Sequence, residues 1–297
     1  MRGVSTPFLT PAGRVRIGWR LSGFLGVTLL VGVFVGFALP PGVVGGAAAL
    51  LTGALVGGWC LLRLDGRGAG ALGFHLTRDA WKEAGYGIAL GVLIGIVVVG
   101  LMAVTGGVRW VTQPGDLVGW LSGAGWALLF LALPAAAEEA LLRGYPLQAL
   151  AEAWGAAPAL GVTAVSFGLL HLGNPGIGAL EGANLIAAGL LLGVVYVRTL
   201  SLWWATGVHL GWNWAHGYLA DVPVSGLEVL DAPLYDGVTA GPSWLGGGAF
   251  GPEGSIVATV VLLSATAVCW WGPWLRPGSA ARAAGSLVGE ELNEAKD

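Results

Sequence analysis

The chain has 297 residues, of which 55% are hydrophobic and only 10% charged, with a mean hydropathy of +0.76. A soluble globular protein carries about 25% charged residues, so this chain cannot solvate a globular surface, and lipid must be its main solvent. The net charge of −3 and the lack of a basic stripe exclude nucleic acid as a partner.

A spanning helix needs about 20 mainly apolar residues. The sequence predicts eight spans, near 21–39, 43–62, 86–104, 119–142, 158–171, 182–197, 202–219 and 255–275. Alternating strands of about ten residues are absent, so a barrel is excluded and the expected fold is all-α, a polytopic membrane helix bundle. Arg14, Arg16 and Arg20 precede the first span, but that span is longer than a signal core of about 7–15 residues. It reads as an uncleaved first helix. Residues 1–20 form a cytoplasmic N-terminal segment, 21–275 a single transmembrane domain, and 276–297 a disordered cytoplasmic tail.

With the N-terminus inside, all but Arg109 of the 14 Lys and Arg fall on the cytoplasmic side. The expected location is a bacterial cell membrane, with both termini cytoplasmic and the lipid bilayer as a constant partner. His75 falls in an inner loop and reads as solvated, and Asp79–Glu83 as a short interfacial helix. The outer loop 220–253 is acidic and rich in Gly and Pro, so it is expected to have little regular structure. Glycines recur four apart at Gly32 and Gly36, Gly53 and Gly57, Gly87, Gly91 and Gly95, and Gly189 and Gly193. Each set shares a helix face and marks a packing seam. Cys60 and Cys269 lie in apolar runs and read as small buried hydrophobes.

The informative residues are those that lipid should exclude. The fourth span ends Pro134-Ala135-Ala136-Ala137-Glu138-Glu139-Ala140-Leu141-Leu142-Arg143. An acid at a helix centre costs about 2.5–3.5 kcal/mol. Glu139 and Arg143 are i, i+4 and can pair on one face. Glu138 lies about 100° away and faces something else. Phe167 and His171 share a face of the fifth span, and His209 and Asn213 a face of the seventh. His216 reads as a supporting or interfacial group, and Glu181 as a solvated loop acid.

One carboxylate, two imidazoles and an amide suit two chemistries. Glu138 can act as a general base on a water also held by His171, with His209 and Asn213 donating to the oxyanion. Alternatively, Glu138, His171 and His209 can bind zinc, which then activates the water. An amide is a natural oxyanion donor but a rare zinc ligand, which favours the reading without a cofactor. Ser166 is badly spaced to use His171 as its base. A proton-coupled transporter using the same groups, and a non-catalytic immunity or scaffold protein, are the readings from other classes.

In order and placement, these motifs resemble the CPBP family, which joins Ras-converting CAAX endopeptidases to bacteriocin-processing and immunity (Abi) relatives. The family pattern E-E-x-x-x-R stands here as Glu138 to Arg143, F-x-x-x-H as Phe167 to His171, and H-x-x-x-N as His209 to Asn213. The resemblance implies an intramembrane endopeptidase acting on a peptide or membrane protein, with a protease core at about 119–219. It implies Glu138 as the catalytic glutamate, His171 as orienter of the water, and His209 with Asn213 as the oxyanion site. Glu139, Arg143 and Phe167 are then structural support. CAAX processing requires a prenylated C-terminal cysteine, and the sequence identifies no such partner. One tension remains: Glu138 is drawn near the inner end of its span, and His171 at the far end of a short one.

Overall fold

The computed structural model describes residues 7–10, 13–286 and 288. Helices dominate it. They are α1 (Ile17–Ala38), α2 (Val43–Leu64), α3 (Arg78–Thr105), α4 (Leu117–Glu139), α5 (Tyr145–Trp154), α6 (Ala156–Leu170), α7 (Ala179–Thr199), α8 (Leu202–Trp214), α9 (Ser243–Gly246), α10 (Ile256–Trp271) and α11 (Ser279–Ala283). Each expected span falls on a helix. Among the described residues, five stretches are long and apolar enough to cross a membrane alone: 17–38, 43–64, 79–105, 117–154 and 179–199. Helices α6 and α10 are apolar but shorter. The protein is a polytopic helical membrane protein.

The glycine seams seat helix on helix. A Cβ at Gly91 would stand 2.1 Å from the Val208 carbonyl oxygen, and one at Gly211 2.3 Å from that of Ile88, so α3 and α8 touch backbone to backbone. Gly53 and Gly57 meet Thr28 of α1, while Gly189 and Gly193 meet Ala164 and Leu160 of α6. Lipid offers no hydrophobic drive between helices, so such close contact supplies the packing energy.

Three features differ from expectation. First, α4 does not end at Leu142. One turn of π-helix, Ala140–Gly144, joins it to α5, and the helical run extends to Trp154 over 38 residues. Pro146 falls in the first turn of α5, where its missing N–H costs nothing. α6 then returns antiparallel. Glu138 precedes Trp154 by about as many residues as separate Ala156 from His171, so both climb roughly two dozen ångström from the same corner. That resolves the mismatch in depth.

Second, loop 220–253 is folded. Strand β2 (Tyr235–Thr239) pairs antiparallel with β1 (Val108–Thr112), in register Val108↔Thr239. β1 is rich in β-branched and aromatic residues, as a strand should be. This ribbon, α9 and two short 3₁₀ turns form a cap over one end of the bundle. The opposite end is basic. There Arg20 is buried and bonds Tyr145, Asp65 and Glu152, tying α1 to the ends of α2 and α5.

Third, several polar segments are tied down. Asp79–Glu83 is the start of the long α3 rather than a separate helix. His75 is buried, its Nε2 3.1 Å from the Glu83 carboxylate, because residues 65–77 fold back on the ends of α3 and α8. The first part of the tail, expected to be disordered, packs on the basic end. Arg67 donates to the Gly285 carbonyl and Ser286 to Gln148. Residues 289–297 lie outside the described part.

The cap carries a titration. Burial pushes the Asp221 carboxyl up to about 6, and the nearby Asp231 and Asp236 add to the rise, against the Ala232 N–H that it accepts. The folded cap therefore holds this proton more tightly than the unfolded chain does. Its stability should fall as pH rises from about 4 to about 6 and level off above. Proteolysis or amide exchange of residues 220–254 across that range measures this, and Asp221→Asn should flatten the dependence. Protection that does not change with pH would contradict it.

Candidate active site

The polar residues singled out by sequence come from three helices and meet around one cavity of about 620 Å³. On α4, Phe130, Pro134 and Glu138 repeat every four residues and face it together. Pro134 removes one helical hydrogen bond just before the acids, and the π turn follows them directly. Such π turns are frequent at functional sites. α8 repeats the device, with a π turn over Ala215–Leu219 immediately after His209 and Asn213.

Glu138 Oε2 lies 3.9 Å from Nε2 of His171 and 3.9 Å from Nε2 of His209. It is buried and has no hydrogen-bond partner. Both imidazoles are held from behind. His171 Nδ1 is 2.7 Å from the Phe167 carbonyl oxygen, and His209 Nδ1 is 3.0 Å from Glu139 Oε1. Those oxygens only accept, so each Nδ1 carries its proton, and in the neutral ring Nε2 presents a lone pair towards Glu138. Asn213 lines the same cavity one turn beyond His209, and its side chain makes no hydrogen bond among the described residues.

Glu139 and Arg143 pair at 3.0 Å and are fully buried. Arg143 also donates to the Gly189 carbonyl of α7 and stands 4.9 Å over the Phe167 ring. Phe167 in turn contacts both imidazoles, with ring centroids 4.7 Å from His171 and 5.7 Å from His209. It is the common floor of the cluster. The sequence missed that Glu139 reaches across to α8 and orients His209.

Other candidates fall away from the cavity. His216 is buried against Trp212, with ring centroids 4.3 Å apart. Glu181 opens the first turn of α7. Ser166 is exposed and its hydroxyl donates to the Val162 carbonyl of its own helix. Cys60 and Cys269 are unpaired thiols. The sequence also missed part of the wall. Asn174 and Ser225, in loops, and Glu253, in a single 3₁₀ turn, join the cavity to the cap, and none lies in a periodic pattern.

No curated protein and no solved structure matches the chain. Residues 119–215 match the family model described as "Rce1-like: Type II CAAX prenyl endopeptidase Rce1-like". That stretch contains Glu138, Glu139, Arg143, Phe167, His171, His209 and Asn213, so the core of this membrane bundle is similar to the Rce1-like CAAX protease family over about a third of the chain.

Proposed function

We propose that the protein is an intramembrane endopeptidase that hydrolyses a peptide bond with a water activated by Glu138. The observation that carries this reading is the unpartnered Glu138 Oε2, equidistant from two imidazole nitrogens in an apolar cavity. A water there gives one proton to Glu138 and directs the other at His171 Nε2. Its oxygen bonds to the carbonyl carbon as Glu138 takes the proton, and the carbonyl electrons move to oxygen. Asn213 Nδ2 can donate to that oxyanion. Glu138, Glu139 and Arg143 sum to one negative charge, and a proton on His209 makes the group neutral. Its Nε2 then donates as well. Glu138 returns its proton to the leaving nitrogen as the C–N bond breaks.

Zinc is the second reading, because two imidazole lone pairs and a carboxylate converge. Glu138, His171 and His209 would hold it, and it would supply Lewis-acid activation of the water. Their spacing fits it less well. Zinc ligands at about 2.0–2.1 Å lie within about 3.5 Å of one another. Among the described residues, only Asp221, Asp231 and Asp236 gather such atoms within 4.8 Å, and these three groups do not. Activity should therefore survive exhaustive chelation, with far less than one zinc per chain by elemental analysis. Loss on chelation with rescue by zinc would move the protein to the metal class.

The proposed substrate is a peptide or membrane-protein segment. Reconstituted protein should cut a hydrophobic single-span peptide, and Glu138→Gln should not. We further propose eight crossings with the basic end and both termini in the cytoplasm, since most Lys and Arg fall towards that end, with Arg109 and the buried Arg143 of the site as exceptions.

A further inference from the structure

The cavity has two unlike ends. Towards α1 and α2 it is bounded by Leu29, 66% exposed, and Val43, 52% exposed, side chains that face lipid. At the cap end it is closed by a hairpin turn. Val224 and Leu227 exchange backbone hydrogen bonds at 3.0 and 2.9 Å across Ser225 and Gly226. Both central residues have positive φ, +49° and +79°, as in a type I′ turn. A Cβ at Gly226 would stand 2.1 Å from the Pro175 carbonyl oxygen, so the turn is pressed onto the segment after α6.

This turn is latched to both halves of the site. Glu253 is 5% exposed, and its carboxylate accepts from the Ser225 N–H and hydroxyl, both at 2.6 Å, and from Trp212 Nε1 at 2.7 Å. Trp212 immediately precedes Asn213. The Ser225 carbonyl accepts from Asn174 Nδ2 at 2.8 Å, three residues after His171. The Glu253 backbone is fixed as well, since its carbonyl accepts from Asn184 of α7. A buried carboxylate with three charge-assisted bonds is a stiff joint. Val224, Leu227 and Val229 project from this turn into the wall of the cavity that holds Glu138.

We infer that the turn Val224–Leu227, held by Glu253 and Asn174, is the specificity wall of the site, and that Leu227 sets the size of the side chain accepted beside the bond to be cut. The inference rests on the endopeptidase reading. A substrate segment enters from lipid past α1, lays its carbonyl at Glu138, and meets Leu227 with a flanking side chain. An aliphatic group gains contact there. A charged one loses water without a partner and is rejected. Glu253 acts through the turn and through Trp212, so it is a positioning residue.

The test uses the full chain in lipid vesicles, with a set of hydrophobic single-span peptides varied at each position around the cut and read by mass spectrometry. Leu227 is 43% exposed, so Leu227→Ala and Leu227→Phe should fold. Leu227→Ala should shift preference at one flanking position towards larger side chains, and Leu227→Phe towards smaller ones, each by about tenfold in relative kcat/KM. Glu253→Gln keeps the shape but weakens the latch, and should blur the same preference and raise KM more than it lowers kcat. Identical cleavage profiles in all three variants, with cleavage still dependent on Glu138, would overturn the wall and spare the protease. No Glu138-dependent cleavage by the unmodified protein would overturn both.

Discussion

Glu138→Gln should lower kcat/KM for peptide cleavage by about a thousandfold, within the range of about 10²–10⁴ attributed to a positioned general base. Stability should hardly change. Glutamine has the same shape, and Glu138 Oε2 makes no hydrogen bond that the exchange would remove. Substitutions that disturb no packing or pairing are usually within about 0.5 kcal/mol. His171→Ala should fall less, because it removes an orienter and leaves the base. Cleavage kinetics in vesicles, alongside thermal unfolding of each variant, separate chemistry from folding. Full activity in Glu138→Gln would remove the base from this residue. A Glu138-dependent proton flux with no cleavage would instead favour the transporter reading, in which the same buried groups form a relay.

The residues of the site were legible because ionisable groups are expensive in lipid and few in this chain. Face arithmetic separated Glu138 from Glu139 within one helix, and the pair Glu139–Arg143 is as that arithmetic requires. What was not legible depends on contacts between helices distant in sequence. The Glu139–His209 bond joins residues 70 apart and follows from the tilt of α8 against α4, which no periodicity encodes. The cap was misread for a related reason. Its ribbon pairs two five-residue strands far apart in the chain, and a Gly- and Pro-rich segment reads as irregular whether or not a partner strand awaits it. Glu253 did leave a signal: an acid set between Pro252 and Gly254, just before Ser255 caps α10. The continuation from α4 into α5 was hidden by Gly144 and Pro146, which mark a stop unless the proline falls in a first helical turn.

Arg143→Ala should destabilise the fold by about 3–5 kcal/mol, the cost of stranding one member of a buried ion pair. Arg143 and Glu139 are each fully buried, and the guanidinium serves three partners: Glu139, the Gly189 carbonyl and the Phe167 ring. Removing it leaves a carboxylate with only His209 and empties the space between α4, α6 and α7. Glu139→Gln is the milder break. Its amide oxygen can still accept from both Arg143 and His209, so the helices stay joined while the negative charge is lost. Activity should then fall more than stability, because the negative charge that favours the second proton on His209, the one its Nε2 donates to the oxyanion, is lost. The double variant Arg143→Met with Glu139→Gln should recover part of the stability lost in Arg143→Ala, since no unpaired charge remains. Unfolding in detergent or lipid discs reads all three. An Arg143→Ala protein within about 1 kcal/mol of the unmodified chain would mean that water reaches the pair, and the same water would then compete with the one held at Glu138.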